Sequence, residues 1–261
     1  MERKRMFESP VARAFSAAAQ QYDSEAILQR EVGHALLNLL PADVRVHHWL
    51  DLGCGTGYFC QQLQQRFVQA AGVGLDIAPG MLQQARAVRP GAYYVCGDAA
   101  ALPLAAGTQD LVFSSLALQW CSDFAAVLRE IQRVLKPGGV LAFSSLATGT
   151  LQELNQSWRA AGNPNRVNRF RDLSEYQQLC QASAMQVLHL TCQPWQQHYA
   201  SVQSVTRHLR GIGAQHLQQG ERPGLLGRGT YQRLQHAYEA LRQPQGLPVT
   251  WQVVTGVLRK H

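Results

Sequence analysis

Short continuous apolar runs alternate, through the first part of the chain, with stretches in which apolar residues recur every three or four positions. Trp49 to Leu52, Gln69 to Ile77, Ala92 to Ala99, Asp110 to Ser115 and Val140 to Ser145 are the runs, and they read as strands. Tyr58 to Phe67, the segment from Pro79 to Arg86 with proline in its first turn, and Phe124 to Leu135 read as the helices between them. Lys136-Pro137-Gly138-Gly139 reads as a turn leading into the fifth strand. Strands alternating with helices at this rhythm predict an α/β fold whose mostly parallel sheet is covered on both faces.

Two helices precede the sheet. Pro10 to Gln21 is rich in helix formers, Tyr22-Asp23-Ser24 interrupts it, and a second helix runs from Glu25 until Pro41 ends it after Leu40. These helices are expected across the sheet's ligand edge or on one face. Beyond residue 150 the pattern predicts a helix over Leu151 to Ala161, another over Ser174 to Ser183, a strand from Gln186 to Cys192 and a closing strand from Val249 to Leu258. Between these last two strands lies an insertion over about 200–243, with Arg207, Arg210, Arg222, Arg228 and Arg233 at mostly helical spacing. Placed there, it can fold over the ligand edge as a lid.

The first strand breaks into Gly53-Cys54-Gly55-Thr56-Gly57. Such a turn presents backbone N–H groups to a nucleotide-like ligand, and a Cβ there would obstruct the ligand or force a strained φ. The spacing is not the GxGxxG of nicotinamide and flavin sites, and Asp51 stands two residues before the first glycine. A carboxylate at that place repels a pyrophosphate but attracts an ammonium group. The ligand is therefore expected to carry an adenosine end and a cationic amino-acid end. Asp76, 19 residues past Gly57, holds the position at which doubly wound folds set an acid against ribose hydroxyls.

Charge and cysteine content narrow the classes. Residues 1–150 hold 12 Lys/Arg against 12 Asp/Glu and residues 151–261 hold 12 against 5, so the net charge of +7 sits in the last part. A basic face there favours an acidic partner, or serves only as a solvated surface. The six cysteines form no CxxC pair and the nine histidines no metal-like grouping, so reduced thiols and no metal are expected. No apolar run approaches the roughly 20 residues of a membrane span. The basic start Met1-Glu2-Arg3-Lys4-Arg5 is followed by no apolar h-region, which argues against a secretory signal and for the cytoplasm, while its Arg and Ala content leaves an organelle transit peptide open.

The glycine turn with Asp51, the acids Asp76 and Asp98 closing the second and third strands, and the Pro-Gly-Gly turn before the fifth resemble the class I S-adenosylmethionine-dependent methyltransferases over about residues 47–146. The resemblance implies a Rossmann-like, mostly parallel seven-stranded sheet with an antiparallel edge, and S-adenosyl-L-methionine as cofactor with S-adenosyl-L-homocysteine as product. It implies close backbone at Gly53, Cys54, Gly55 and Gly57, Asp51 near the methionine amino group, and Asp76 on the ribose with Ile77 and Met81 beside the adenine. It also implies Asp98 and Ala99 on the adenine edge, and Ser115 and Leu116 along the methionine chain.

Further matches span most of the chain: Ala14-Phe15 with Tyr22, Ser115 to Trp120, Asn168-Arg169-Phe170, and Leu209 to Ala214. In this order they resemble the malonyl-acyl-carrier-protein O-methyltransferases that begin biotin synthesis. One domain over 1–261 is then expected, with an N-terminal helical gate at 1–46, a cofactor core at 47–146 and a substrate side at 147–261. The acceptor would be the malonyl carboxylate, ionised at pH 7, so no acid or base catalyst is required. Arg169 and Arg210 are candidate clamps for it, since guanidinium holds a carboxylate through two donors. Either could instead bind the carrier's phosphopantetheine phosphate or an acidic helix, or form a structural ion pair. Tyr22 is read as a gate over the cofactor or a helix-packing tyrosine, and Gln119 joins Tyr22 as a substrate-positioning candidate. The expected partner is an acidic acyl-carrier protein docking on the basic region, with no nucleic acid and no membrane. Methylation of another small molecule, or of RNA through the basic surface, are the alternatives. Against RNA, the basic and aromatic residues are not interleaved as a stacking platform.

Overall fold

The computed structural model describes residues 9–164, 166–213 and 227–261. The basic start and Asn165, Ala214 and Arg222 lie outside the described residues. Helices α1 (Pro10–Glu25) and α2 (Ile27–Asn38) lead into β1 (His48–Leu52), α3 (Tyr58–Arg66), β2 (Ala71–Asp76), α4 (Pro79–Val88), β3 (Tyr93–Cys96) and β4 (Gln109–Ser114). A 3-10 turn (Leu118–Trp120), α5 (Phe124–Val134), β5 (Leu135–Leu146), α6 (Gln152–Ala160) and α7 (Leu173–Ala182) follow. The chain closes with β6 (Met185–Tyr199), α8 (Val202–Gly211), α9 (Arg228–Glu239) and β7 (Leu247–Lys260).

The seven strands form one sheet in the order β3-β2-β1-β4-β5-β7-β6. β1 pairs parallel with β2 and β4, and β4 parallel with β5, whereas β7 runs antiparallel to both β5 and β6. The antiparallel pairing lies at this edge, with β7 one place in and β6 outermost. Side chains alternate between two cores, as a period of two requires. Trp49, Leu111, Phe113, Val140 and Ala142 face α2, α3 and α4, while Leu50, Leu52, Val112, Leu141 and Phe143 face α5 and α7. Both faces are buried, which is why the strands read as continuous apolar runs.

Three local expectations are corrected. Helix α1 runs unbroken through Tyr22-Asp23-Ser24 and stops at Ala26, because Arg30 caps the Asp23 carbonyl while the Asp23 carboxylate is taken up by Thr56 and Arg89 instead of competing with its own backbone. Lys136 to Gly139 is not a separate turn but an irregularity inside β5, where pairing jumps from Gln109–Leu135 to Leu111–Val140. β6 extends seven residues beyond Cys192 and carries Pro194, which an edge strand tolerates because its outer face has no ladder to complete. The far ends of β6 and β7 support a third core, in which Trp251, Val253 and Leu247 pack with Leu154, Trp158, Val205, Leu209, Leu234 and Tyr238. This core holds α6, α8 and α9 against Leu28 and Val32 of α2. The two placements foreseen for the N-terminal helices are shared out: α2 packs on a sheet face, and α1 crosses the ligand edge against α4, where Ser16 Oγ accepts from Gly80 N at 3.1 Å.

Candidate functional site

β1 ends at buried Leu52, and the chain turns through Gly53, Gly55 and Gly57, with φ of 76°, 54° and 83°. A Cβ on Gly53 would fall 2.2 Å from the Ala117 Cβ, and one on Gly57 would fall 2.4 Å from the Tyr94 hydroxyl. Those two glycines are thus demanded by protein packing as well as by φ, and only Gly55, whose nearest neighbour would be Tyr22 at 3.9 Å, opens toward ligand space. Asp76 ties the turn together: Gly55 N donates to its Oδ2 and Ala78 N to its Oδ1, each at 2.8 Å. Burial pushes its carboxyl above the ordinary range, against the pull of these two amide donors.

Around this turn opens a cleft of about 290 Å³ at the carboxyl ends of the strands. It brings together ten of the expected residues: Tyr22, Gly53, Gly55, Asp76, Ile77, Met81, Asp98, Ala99, Ser115 and Leu116. Asp98 spends one carboxylate oxygen on the Ala100 amide at 2.9 Å, an Asx turn that holds the loop. Leu116 has φ of 48°, rare for a branched side chain, and its N–H is held by the Ser144 carbonyl at 3.1 Å and the Ser144 hydroxyl at 3.0 Å. Tyr22 closes the cleft from α1 in an aromatic chain, with Phe15 6.4 Å away and Phe15 in turn 5.4 Å from Trp120. Burial, with Asp76 and Asp23 adding, holds the Tyr22 hydroxyl well above its ordinary range.

Six expected residues stand elsewhere. Gly57 and Cys54 shape the turn from behind, where Cys54 is buried. Asp51, 2% exposed, lies outside the cleft lining and accepts a hydrogen bond from the Cys60 thiol at 3.2 Å. Burial pushes its carboxyl up to about 7. Gln119 sits in a smaller adjoining chamber, and Arg169 and Arg210 are exposed and line neither space. They rise beside Phe170 and Leu209, which pack into the same third core.

Sequence reasoning missed the fastening of α1 to the glycine turn and α4. The Asp23 carboxylate accepts from the Thr56 hydroxyl and pairs with Arg89 at 2.8 Å, while Arg89 also donates to the Thr56 carbonyl at 2.9 Å. It also missed Arg171, which donates to the Ser122 carbonyl at 2.8 Å on the cleft rim and lies over the Phe124 ring. Neither is signalled by spacing, since the partners are far apart in the chain. Among the described residues no group of His, Cys, Asp and Glu could hold a metal ion, and no helix is long and apolar enough to cross a membrane.

The family model described as "Methyltransferase domain" matches residues 50–143. A crystal structure from Bacillus halodurans C-125, assigned as a methyltransferase, superposes with a TM-score of 0.62 over 88% of this chain and 99% of its own, at 16% identity. A malonyl-[acyl-carrier protein] O-methyltransferase of Serratia marcescens is 42% identical over 96% of this chain and 95% of its own length. The chain belongs to the malonyl-[acyl-carrier protein] O-methyltransferase family. A biotin biosynthesis bifunctional protein of Cellvibrio japonicus is equally similar, 42% identical over 96% of this chain, which spans 50% of that longer protein.

As a member of this family the protein is an S-adenosyl-L-methionine-dependent methyltransferase, and the donors present fit that cofactor. The cleft offers an open glycine backbone at Gly55, acids at Asp76 and Asp98 that each keep unused lone pairs, and apolar flanks at Ile77 and Met81. Asp51 is a buried carboxylate whose one hydrogen bond among those described comes from a weakly donating thiol, a setting that a cation would relieve.

Proposed function

We propose that this methyltransferase esterifies the free carboxylate of a malonyl thioester on acyl-carrier protein, giving the methyl ester that starts biotin synthesis. The observation that carries the reading is the character of the smaller chamber beside the cofactor cleft. Among the described residues its lining includes no carboxylate, histidine, lysine or arginine, so these offer no general base. Tyr22, the one phenol among those described residues, is held protonated near neutral pH by burial. A malonyl carboxylate needs none, because it is ionised already. S-adenosyl-L-methionine, when bound, would supply an electrophilic sulfonium methyl, its carbon open to the carboxylate oxygen with the neutral thioether as leaving group and no proton to be moved.

The chain's own residues then position and exclude water. In this reading the Gly53–Gly55 backbone and the Ser115–Leu116 segment hold the methionine chain, and Asp51 balances its amino group through the turn. Asp76 takes the ribose, Asp98 and Ala99 the adenine edge, and Ile77 and Met81 its faces. Phe15, Tyr22 and Trp120 wall the reacting end. Arg169 and Arg210, exposed above one core and lining neither space, suit the carrier's phosphate or acidic surface better than the reacting carboxylate. The surplus of 12 basic over 5 acidic residues after position 150 supports the same docking face.

Incubation with labelled S-adenosylmethionine tests the assignment. The methyl is expected on malonyl carrier, as a base-labile ester, and not on acetyl carrier, which lacks the carboxylate. Equal labelling of both, or labelling of RNA alone, refutes it.

A further inference from the structure

Phe15, Tyr22 and Glu25 follow one another in α1 at intervals of seven and three residues, which sets them along one side of the helix. Phe15 and Tyr22 wall the cofactor cleft. The same side of α1 meets the end of α8, the stretch that begins at Leu209 and was matched in the sequence but contributes nothing to the cleft lining.

His208 of α8 is 5% exposed, and its Nδ1 lies 3.1 Å from Glu25 Oε2. A carboxylate only accepts, so this nitrogen carries the proton and donates. Burial lowers the imidazole below its ordinary range, against the pull of Glu25, so the ring is neutral at pH 7. Its Nε2 is then a bare acceptor, buried near the rings of Tyr199 and Trp251 with no hydrogen-bond partner among the described residues. An apolar side chain would fill the position without that cost, so packing does not account for a histidine there; the bond to Glu25 does.

Two glycines let the elements approach this closely. A Cβ on Gly211 would fall 2.6 Å from Glu25 Cγ, and one on Gly213, at φ of 71°, would fall 2.9 Å from the Phe15 ring. Ile212 between them packs in the third core, against which Tyr22 also lies. The anchor itself is firm. Val202, Val205 and Leu209 bury α8 against the far ends of β6 and β7, and a reciprocal Ser201–Ser204 cap fixes its start.

We propose that Glu25 and His208 are positioning residues for the methyl transfer. Through their bond and the two glycine contacts, the sheet-anchored end of α8 holds α1 down and keeps Phe15 and Tyr22 in place as walls of the cofactor cleft. This clasp acts on cofactor retention and is independent of which acceptor is methylated.

The test reads S-adenosylhomocysteine release by stopped flow and its affinity by calorimetry, at a temperature where each variant is folded. Glu25→Ala and His208→Leu both remove the bond and are expected to speed release roughly five- to twentyfold, the lower part of the range for a hydrogen bond to a charged group, because the Glu25 side chain is 34% exposed. Since both break one contact, the double variant should release no faster than the faster single one. Glu25→Gln keeps an acceptor and His208→Asn a donor at the joint, and each should stay within about twofold of wild type. A pair that only stabilises the fold would lower Tm and leave release from the folded protein unchanged; that result overturns the proposal. So do factors that multiply in the double variant, or Glu25→Gln as impaired as Glu25→Ala. Should His208→Leu fail to melt cooperatively, the Glu25 variants decide alone: faster release in Glu25→Ala than in Glu25→Gln supports the clasp, and equal release overturns it.

Discussion

Replacing Asp76 by alanine removes two structural bonds and one proposed ligand contact, and the two losses are separable. In the free protein its oxygens accept from Gly55 N and Ala78 N at 2.8 Å each. Hydrogen bonds to a charged group contribute about 1.5–3 kcal/mol apiece. The carboxylate is buried, however, and its upward pKa records a desolvation cost that takes back part of this sum. A net loss of about 2–3 kcal/mol in stability is therefore expected, or roughly 5–10 °C in Tm for a chain of this size. Binding should fall as well, by about 1–3 kcal/mol or roughly 5- to 150-fold, if ribose hydroxyls donate to the remaining lone pairs. Calorimetric titration with S-adenosylhomocysteine beside a melting curve separates the effects. Asp76→Asn sharpens the contrast, since it keeps an acceptor for Ala78 but sets an NH2 or nothing against Gly55. A variant that melts lower yet binds with wild-type affinity would refute the ribose role and leave Asp76 as a loop organiser only.

Three further outcomes follow from the same geometry. Asp51, held near 7 when folded against about 4 when unfolded, favours the folded state when protonated; its own contribution to the stability of the ligand-free protein is fully present below about pH 4 and is lost, by a few kcal/mol, as pH rises through 7, so the difference between wild type and Asp51→Asn in denaturant melts should change over that window, and a constant difference would disprove it. Gly57→Ala puts a Cβ in the left-handed region 2.4 Å from the Tyr94 hydroxyl, which donates to the Arg89 carbonyl at 2.8 Å; a loss of about 2–4 kcal/mol is expected in urea unfolding, and a neutral effect would show that the turn relaxes freely. Arg169→Glu with Arg210→Glu should lower kcat/KM for malonyl carrier and flatten its salt dependence while leaving S-adenosylhomocysteine affinity intact; unaltered salt dependence would remove both residues from the docking face.

The sequence alone determined the layered α/β plan, the glycine turn and the class of cofactor, because each is written in local spacing. A strand buried on both faces reads as a near-continuous apolar run, and a turn at positive φ where a Cβ would also clash, as at Gly53 and Gly57, takes glycine. The acids Asp76 and Asp98 were legible for the same reason, as each ends an apolar run. What only the tertiary structure decided is everything that depends on distant segments meeting. Helix α1 continues through Tyr22 to Ser24 because Thr56 and Arg89 take up the Asp23 carboxylate, and β6 continues past Cys192 because β7 pairs with it to its end. Three-dimensional placement also left Arg169 and Arg210 exposed and outside the lining of both spaces, and brought an unmarked glutamine, Gln29, into the lining of the chamber next to the cofactor cleft. No periodicity announces such placements, since burial and exposure belong to the folded chain.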